Sequence, residues 1–121
     1  MNQAVQTKKY DLAERTGKFG EAVVNFCSTL DRNSITNPLI NQLVRSATSI
    51  GANYMEANGA SSRKDFRNKI FICKKEAQET SHWLRMLKTA VPAKESQLKL
   101  LMQEARELTL IFQKITSTLD K

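Results

Sequence analysis

The sequence predicts an all-α fold, an antiparallel up-down four-helix bundle, and three observations carry that prediction. Apolar residues recur at spacings of three and four in four separate blocks, and no block alternates with the period of two that marks a strand. Only 4 Gly and 2 Pro interrupt the 121 residues, which suits long helices and few turns. The length fits one domain, 1–121, and 40% hydrophobic with 26% charged residues is the make-up of an ordinary globular chain.

The first helix is expected over about 11–31, with Leu12, Phe19, Val23, Phe26 and Leu30 on one side; Gly17 and Gly20 weaken it locally. The second, about 38–58, carries Leu39, Leu43, Ala47, Ile50, Tyr54 and Ala57. Asn37 is placed to cap it, with Pro38 at the first helical position, and Asn58-Gly59 is a stop in which Gly59 takes the left-handed conformation. The third runs over about 63–90 on Phe66, Ile70, Cys73, Ala77, Leu84 and Leu87; Ser62 and Asp65 resemble a capping box, and Val91-Pro92 ends it. The fourth, about 93–119, presents Leu101, Ala105, Leu108, Phe112, Ile115 and Leu119. Short connections make consecutive helices antiparallel neighbours.

Several classes are disfavoured. The start, Met1 to Lys9, has no apolar stretch of the kind a signal peptide needs, and the longest apolar run, Ile70-Phe71-Ile72-Cys73, is far short of a membrane span. Cys27 and Cys73 read as free thiols in a reducing cytoplasm, so a cytoplasmic protein without membrane contact is expected. Glu79-Thr80-Ser81-His82 matches the Glu-x-x-His element of di-iron bundles, but such a site needs that element twice and the chain has 1 His, which falls away from the core stripe. Two cysteines without a supporting His or CxxC pair make zinc improbable, no Gly-rich phosphate loop occurs, and no nucleophile, base and orienter can be assembled. No enzyme, metal or cofactor is expected.

The net charge is +7, which favours an acidic partner, nucleic acid first. Between Arg63 and Lys88 eight basic residues face three acidic ones, so +5 of the +7 sits in the third helix. On a helical wheel Arg67, Lys74 and Arg85 fall together to one side of its core stripe, with Arg63 and Lys88 nearer the core edge. These five residues form a candidate nucleic-acid-binding stripe, against the common fate of such charges as a solvated face. Phe71 lies near the stripe, where it could stack on a base or be an incidental surface or packing residue. On the opposite side Ile72 and Trp83 form an apolar flank. It is expected to be a protomer contact, the alternative being burial under a neighbouring helix of the same bundle. The second helix places Arg45, Ser49, Ala52 and Glu56 opposite its core, with Ser46, Ala47 and Gly51 keeping it slim enough for close backbone approach.

The stretch from Gln42 to Ala57 resembles the central signature of the bacterial four helix bundle protein family, also called the 23S rRNA intervening-sequence protein family. Ser62 to Phe66, Lys75 to Thr80 and Trp83-Leu84 are similar to its second signature, and Glu104-Ala105-x-Glu107-Leu108 to its final helix. The resemblance implies a four-helix protomer of a homopentamer with a basic surface. It also implies an architecture similar to the accessory variability proteins of diversity-generating retroelements, which bind nucleic acid and a reverse transcriptase. Carried over, the motif positions are Arg45, Ser46, Ser49, Asn53, Glu56, Asp65, Phe66, Glu76, Glu79 and Trp83, most of them with structural roles at protomer contacts. The expected oligomer interface is thus Arg45, Ser49, Asn53, Glu56, Ile72, Glu79 and Trp83. The expected function is a non-enzymatic homo-oligomeric module that binds RNA or DNA. The alternative is a protein-interaction scaffold, or an accessory subunit of a reverse transcriptase or a ribosome-associated complex.

Overall fold

Asp11 opens the first helix by accepting the Glu14 amide on its carboxylate at 3.1 Å, which satisfies one of the free N–H groups of a helix start. The computed structural model describes residues 11–120; the expectation that Met1 to Lys9 is no signal peptide lies outside the described residues. Four helices follow in order: α1 (Leu12–Cys27), α2 (Thr36–Asn58), α3 (Arg63–Ala90) and, after a single 3-10 turn over Pro92–Lys94, α4 (Glu95–Leu119). Among the described residues there is no strand, and no helix is long and apolar enough to cross a membrane.

The helix ends depart from the sequence expectation for local reasons. α1 stops at Cys27 rather than near 31 because the hydroxyls of Ser28 and Thr29 donate to the carbonyls of Asn25 and Phe26, each at 2.7 Å, and draw the chain into a turn. Asn37 does not cap α2. Asn33 performs that role, accepting the amides of Ile35 at 2.8 Å and Thr36 at 2.9 Å, so the helix starts at Thr36 and Pro38 sits inside its first turn. Gly59 stays right-handed, with φ −96° and ψ 11°, since its N–H closes back to Glu56 with a 3.1 Å bond one residue shorter than the helical repeat. Ser62 accepts the Asp65 amide at 3.0 Å, the cap foreseen for α3. The start of α4 moves from 93 to Glu95 because Pro92 leads a 3-10 turn first.

The core lies where the four stripes meet. Ile40, Leu43, Ile50, Ile70, Leu84, Leu87, Leu98, Leu108 and Phe112 are fully buried. α2 and α3 share the broadest contact, α3 and α4 the next, and α1 packs mainly on α2. That α1–α2 crossing is tight at one point: a side-chain carbon on Gly51 would stand 3.3 Å from the Thr16 hydroxyl and 3.6 Å from the Gly17 amide nitrogen. Gly51 thus supplies the close backbone approach expected of a slim α2. α1 and α4 approach each other least closely of the neighbouring helix pairs. Their seam is closed by Arg15, whose guanidinium donates twice to Glu104 at 2.8 Å and once to Glu107 at 2.9 Å.

Candidate nucleic-acid interface

α3 is long because nothing breaks it. No Gly or Pro occurs between Arg63 and Ala90, and its aliphatic stripe buries against α2 and α4 at once. Its remaining circumference divides into three strips: one meets α2, one meets α4, and one faces outward.

On the α4 side lies the predicted stripe, and most of it is engaged within the chain. Arg67 forms a two-pronged pair with Asp120 at 2.6 and 3.1 Å, and Arg63 donates to the Leu119 carbonyl at 3.1 Å. Both meet the C-terminal end of α4, where unpaired carbonyls and the helix dipole favour positive charge. The guanidinium of Arg67 holds the Asp120 carboxyl below the usual carboxylate range, and the hydrogen bond raises Arg67 in turn. Lys74 donates to Gln113 at 2.9 Å, and Lys88 lies 3.7 Å from Glu95. Glu95 is lowered, first by its bond to Lys99 and then by the charge of Lys99 and Lys88. The stripe of Arg63, Arg67, Lys74, Arg85 and Lys88 is thus mostly in contact with the neighbouring helix. Four of the five clasp α4, and only Arg85 has no hydrogen-bond or ion-pair partner among the described residues. A wheel drawn for one helix cannot show that the neighbouring helix brings Asp120, Gln113 and Glu95 opposite these cations.

On the α2 side sit the residues expected at a protomer contact, and they too find partners inside the chain. Arg45 reaches Glu76 at 3.4 Å and also pairs with Glu79, while Glu56 pairs with Lys69 at 2.7 Å. Ser49 donates to the Arg45 carbonyl at 2.6 Å, and Asn53 to the Ser49 carbonyl at 2.9 Å. Ile72 and Trp83 are half-buried. Trp83 packs on the core cluster with its ring edge-to-face with His82 at 4.8 Å, and its buried indole N–H has no acceptor among the described residues. The Trp83 end of the flank is thus largely covered by the bundle itself.

The outward strip was missed in part. Lys64, Phe71, Lys75 and His82 are exposed and fall within about 40° of one another around the helix, with Arg85 at the edge toward α4. Lys64, Lys75 and Arg85 have neither hydrogen-bond nor ion-pair partners among the described residues. Phe71 is 41% exposed, with the Lys74 ammonium 4.8 Å from its ring centre. The signal was in the sequence: Lys64, Phe71 and Lys75 are spaced by seven and four residues. Beside this strip, an open groove of about 850 Å³ between α3 and α4 is lined by Gln78, Ser81, Lys99, Met102, Arg106 and Thr109 among others.

The two thiols stand elsewhere, in the interior. Burial pushes the Cys27 thiol up to about 11 and that of Cys73 to about 12. His82 is exposed and lies against Trp83, and among the described residues no three of His, Cys, Asp and Glu converge.

Comparison with known proteins places this geometry. The model of the 23S rRNA-intervening sequence protein family matches residues 8–114. The crystal structure of a protein of unknown function from the S23 ribosomal protein family of Bacteroides thetaiotaomicron is similar at 31% identity. That match covers 86% of this chain and 96% of the other, with a TM-score of 0.75. No curated protein matches the chain.

Proposed function

The chain belongs to the 23S rRNA-intervening sequence protein family, and from that premise we propose a non-enzymatic, self-assembling, cytoplasmic module that binds nucleic acid through the outward strip of α3. The observation that carries the proposal is the separation of two kinds of cation on one helix. Arg67 and Lys88 pair with acidic residues at the ends of α4 and Lys69 pairs with Glu56 on α2, whereas Lys64, Lys75 and Arg85 face outward with no acceptor among the described residues. Cations left in water on one strip are available to phosphates, whose neutralisation releases counterions and gives sequence-independent affinity. We further propose a homopentamer, as the family resemblance implies, in which ring repetition would turn weak contacts into avidity. The exposed Met55 and Val24 beside the α1–α2 groove support self-association, since protomer burial would remove them from water.

The test is fluorescence anisotropy of labelled RNA and DNA across a salt series, comparing the wild type with a Lys64→Glu, Lys75→Glu, Arg85→Glu triple variant. Steeply salt-dependent binding that disappears in the variant is the expected result. Full binding by the variant would sink the assignment of the strip. Reversal of Arg67 or Lys74 is the poorer test, because it would also release α4. Light scattering of the eluted protein reads the assembly.

A second reading has its own observation. Leu100 and Leu110 on α4 are 72% and 58% exposed, two large apolar side chains left at the surface of one helix. They favour a protein-docking role, such as an accessory subunit of a reverse transcriptase or of a ribosome-associated complex. Leu100→Lys with Leu110→Lys would leave nucleic-acid binding intact while abolishing co-purification of such a partner.

A further inference from the structure

Phe71 is out of place by the ordinary logic of burial. A large aromatic ring stands 41% exposed in the most basic stretch of the chain, two positions before a fully buried Cys73. It does not reach the bundle interior, because its position lies on the side of α3 turned away from the buried Ile70, Cys73 and Ala77. Lys74 lies 4.8 Å from the ring and is itself anchored to Gln113, so the ring is kept at the surface by a neighbour that is also held. Lys64 and Lys75 stand on the same strip, the first seven residues before Phe71 and the second four after it, about 10 and 6 Å along the helix axis. The acidic residues of α3 are turned elsewhere: Asp65 lies at its amino-terminal cap, and Glu76 and Glu79 pair with Arg45.

We infer that Phe71 is a base-stacking platform and that the outward strip of α3 takes single-stranded RNA, with Lys64 and Lys75 on the backbone to either side. This rests on the nucleic-acid reading above and narrows it to one class of ligand. The argument for a single strand is geometric. A convex helix with an aromatic ring on its crest can reach a base face only where bases are unstacked, whereas a duplex presents sugar and phosphate to such a surface. The argument for RNA is the company Phe71 keeps. Asn68, Gln78 and His82 are exposed on or beside the strip, and their side chains make no hydrogen bond among the described residues. Side-chain amides such as those of Asn68 and Gln78, each both donor and acceptor, suit the ribose 2′-hydroxyl, the group that separates RNA from DNA.

The experiment measures binding of the full chain to a labelled oligouridylate, to the matching oligodeoxyuridylate and to duplex RNA of equal length. It compares wild type with Phe71→Ala, Phe71→Leu and Phe71→Trp, each checked by its melting curve. Phe71 is at the surface, so all three are expected to fold. Phe71→Ala and Phe71→Leu should each weaken oligouridylate binding roughly tenfold, Phe71→Trp should preserve it, and duplex binding should not change. An oligouridylate carrying 5-iodouridine should photocrosslink to the peptide containing Phe71. Undiminished oligouridylate binding by Phe71→Ala, alongside loss in the Lys64/Lys75/Arg85 triple variant, would overturn the stacking platform and leave the charge reading standing. Equal losses on single strand and duplex would overturn the single-strand assignment, and equal affinity for the deoxy strand would overturn the choice of RNA. Absence of binding to all three by the wild type would overturn both readings.

Discussion

Arg15 shows how much one side chain can hold when its neighbours hold little. α1 and α4 meet over a small apolar area, and the guanidinium fork to Glu104 and Glu107 joins them across a half-buried seam. Replacing Arg15 by Met keeps the aliphatic stem but strands two carboxylates, and should lower stability by about 1–2 kcal/mol in chemical denaturation. Trp83→Phe is the contrasting case. It trims a half-buried ring but also removes an indole N–H that has no acceptor among the described residues, so the two effects offset and the midpoint should move by less than about 1 kcal/mol. At the end of α4, Arg67 favours the ionised form of Asp120. A depressed carboxylate stabilises the fold above its unfolded pKa and loses that contribution as pH falls through its folded value. The Arg67–Asp120 clasp should therefore hold at neutral pH and fade below about pH 4, and Asp120→Asn should flatten this acid limb of a melting-temperature profile.

At the scale of the element, the helices were legible and their ends were not. Periodicity over twenty or so residues sums many weak preferences into one answer, so most of each stripe lies in or against the core, Leu119 excepted. A helix end instead turns on one hydrogen bond. Asn33 and Asn37 both precede the second stripe with capping side chains; Asn33 prevails because Thr36 accepts its amide at 3.0 Å and donates to the Asp31 carbonyl at 2.9 Å, locking the turn. Two of the glycines at the α1–α2 crossing separate in the same way. Gly17 has open space where a side-chain carbon would go, so Gly17→Ala should stabilise by about 0.5–1 kcal/mol through helix propensity alone. Gly51→Ala should forfeit that gain, because the new carbon presses on a Thr16 hydroxyl already bonded to the Leu12 carbonyl at 2.6 Å. Thermal denaturation of the two variants side by side checks both.

At the scale of the whole molecule, the basic character of α3 was visible in the sequence and its division was not. Arg67 and Asp120 are 53 residues apart in the chain, and their meeting depends on the antiparallel register of α3 and α4. Only when the register is known do the cations sort into those that fasten helices and those left to the solvent. Lys64 and Lys75, counted in the charge but not in the stripe, belong to the second group.

The thin α1–α4 seam has one more consequence. α2, α3 and α4 share most of the core, so they can keep their register while α1 swings out on the connection over 28–35. Cys27, at the end of α1, would then meet solvent, whereas Cys73 would stay between its neighbours with its thiol 3.6 Å from the Ile50 carbonyl. The two cysteines are thus built-in clocks for two different openings. Alkylation in native buffer should mark Cys27 well before Cys73, and Arg15→Met should quicken the first without hastening the second.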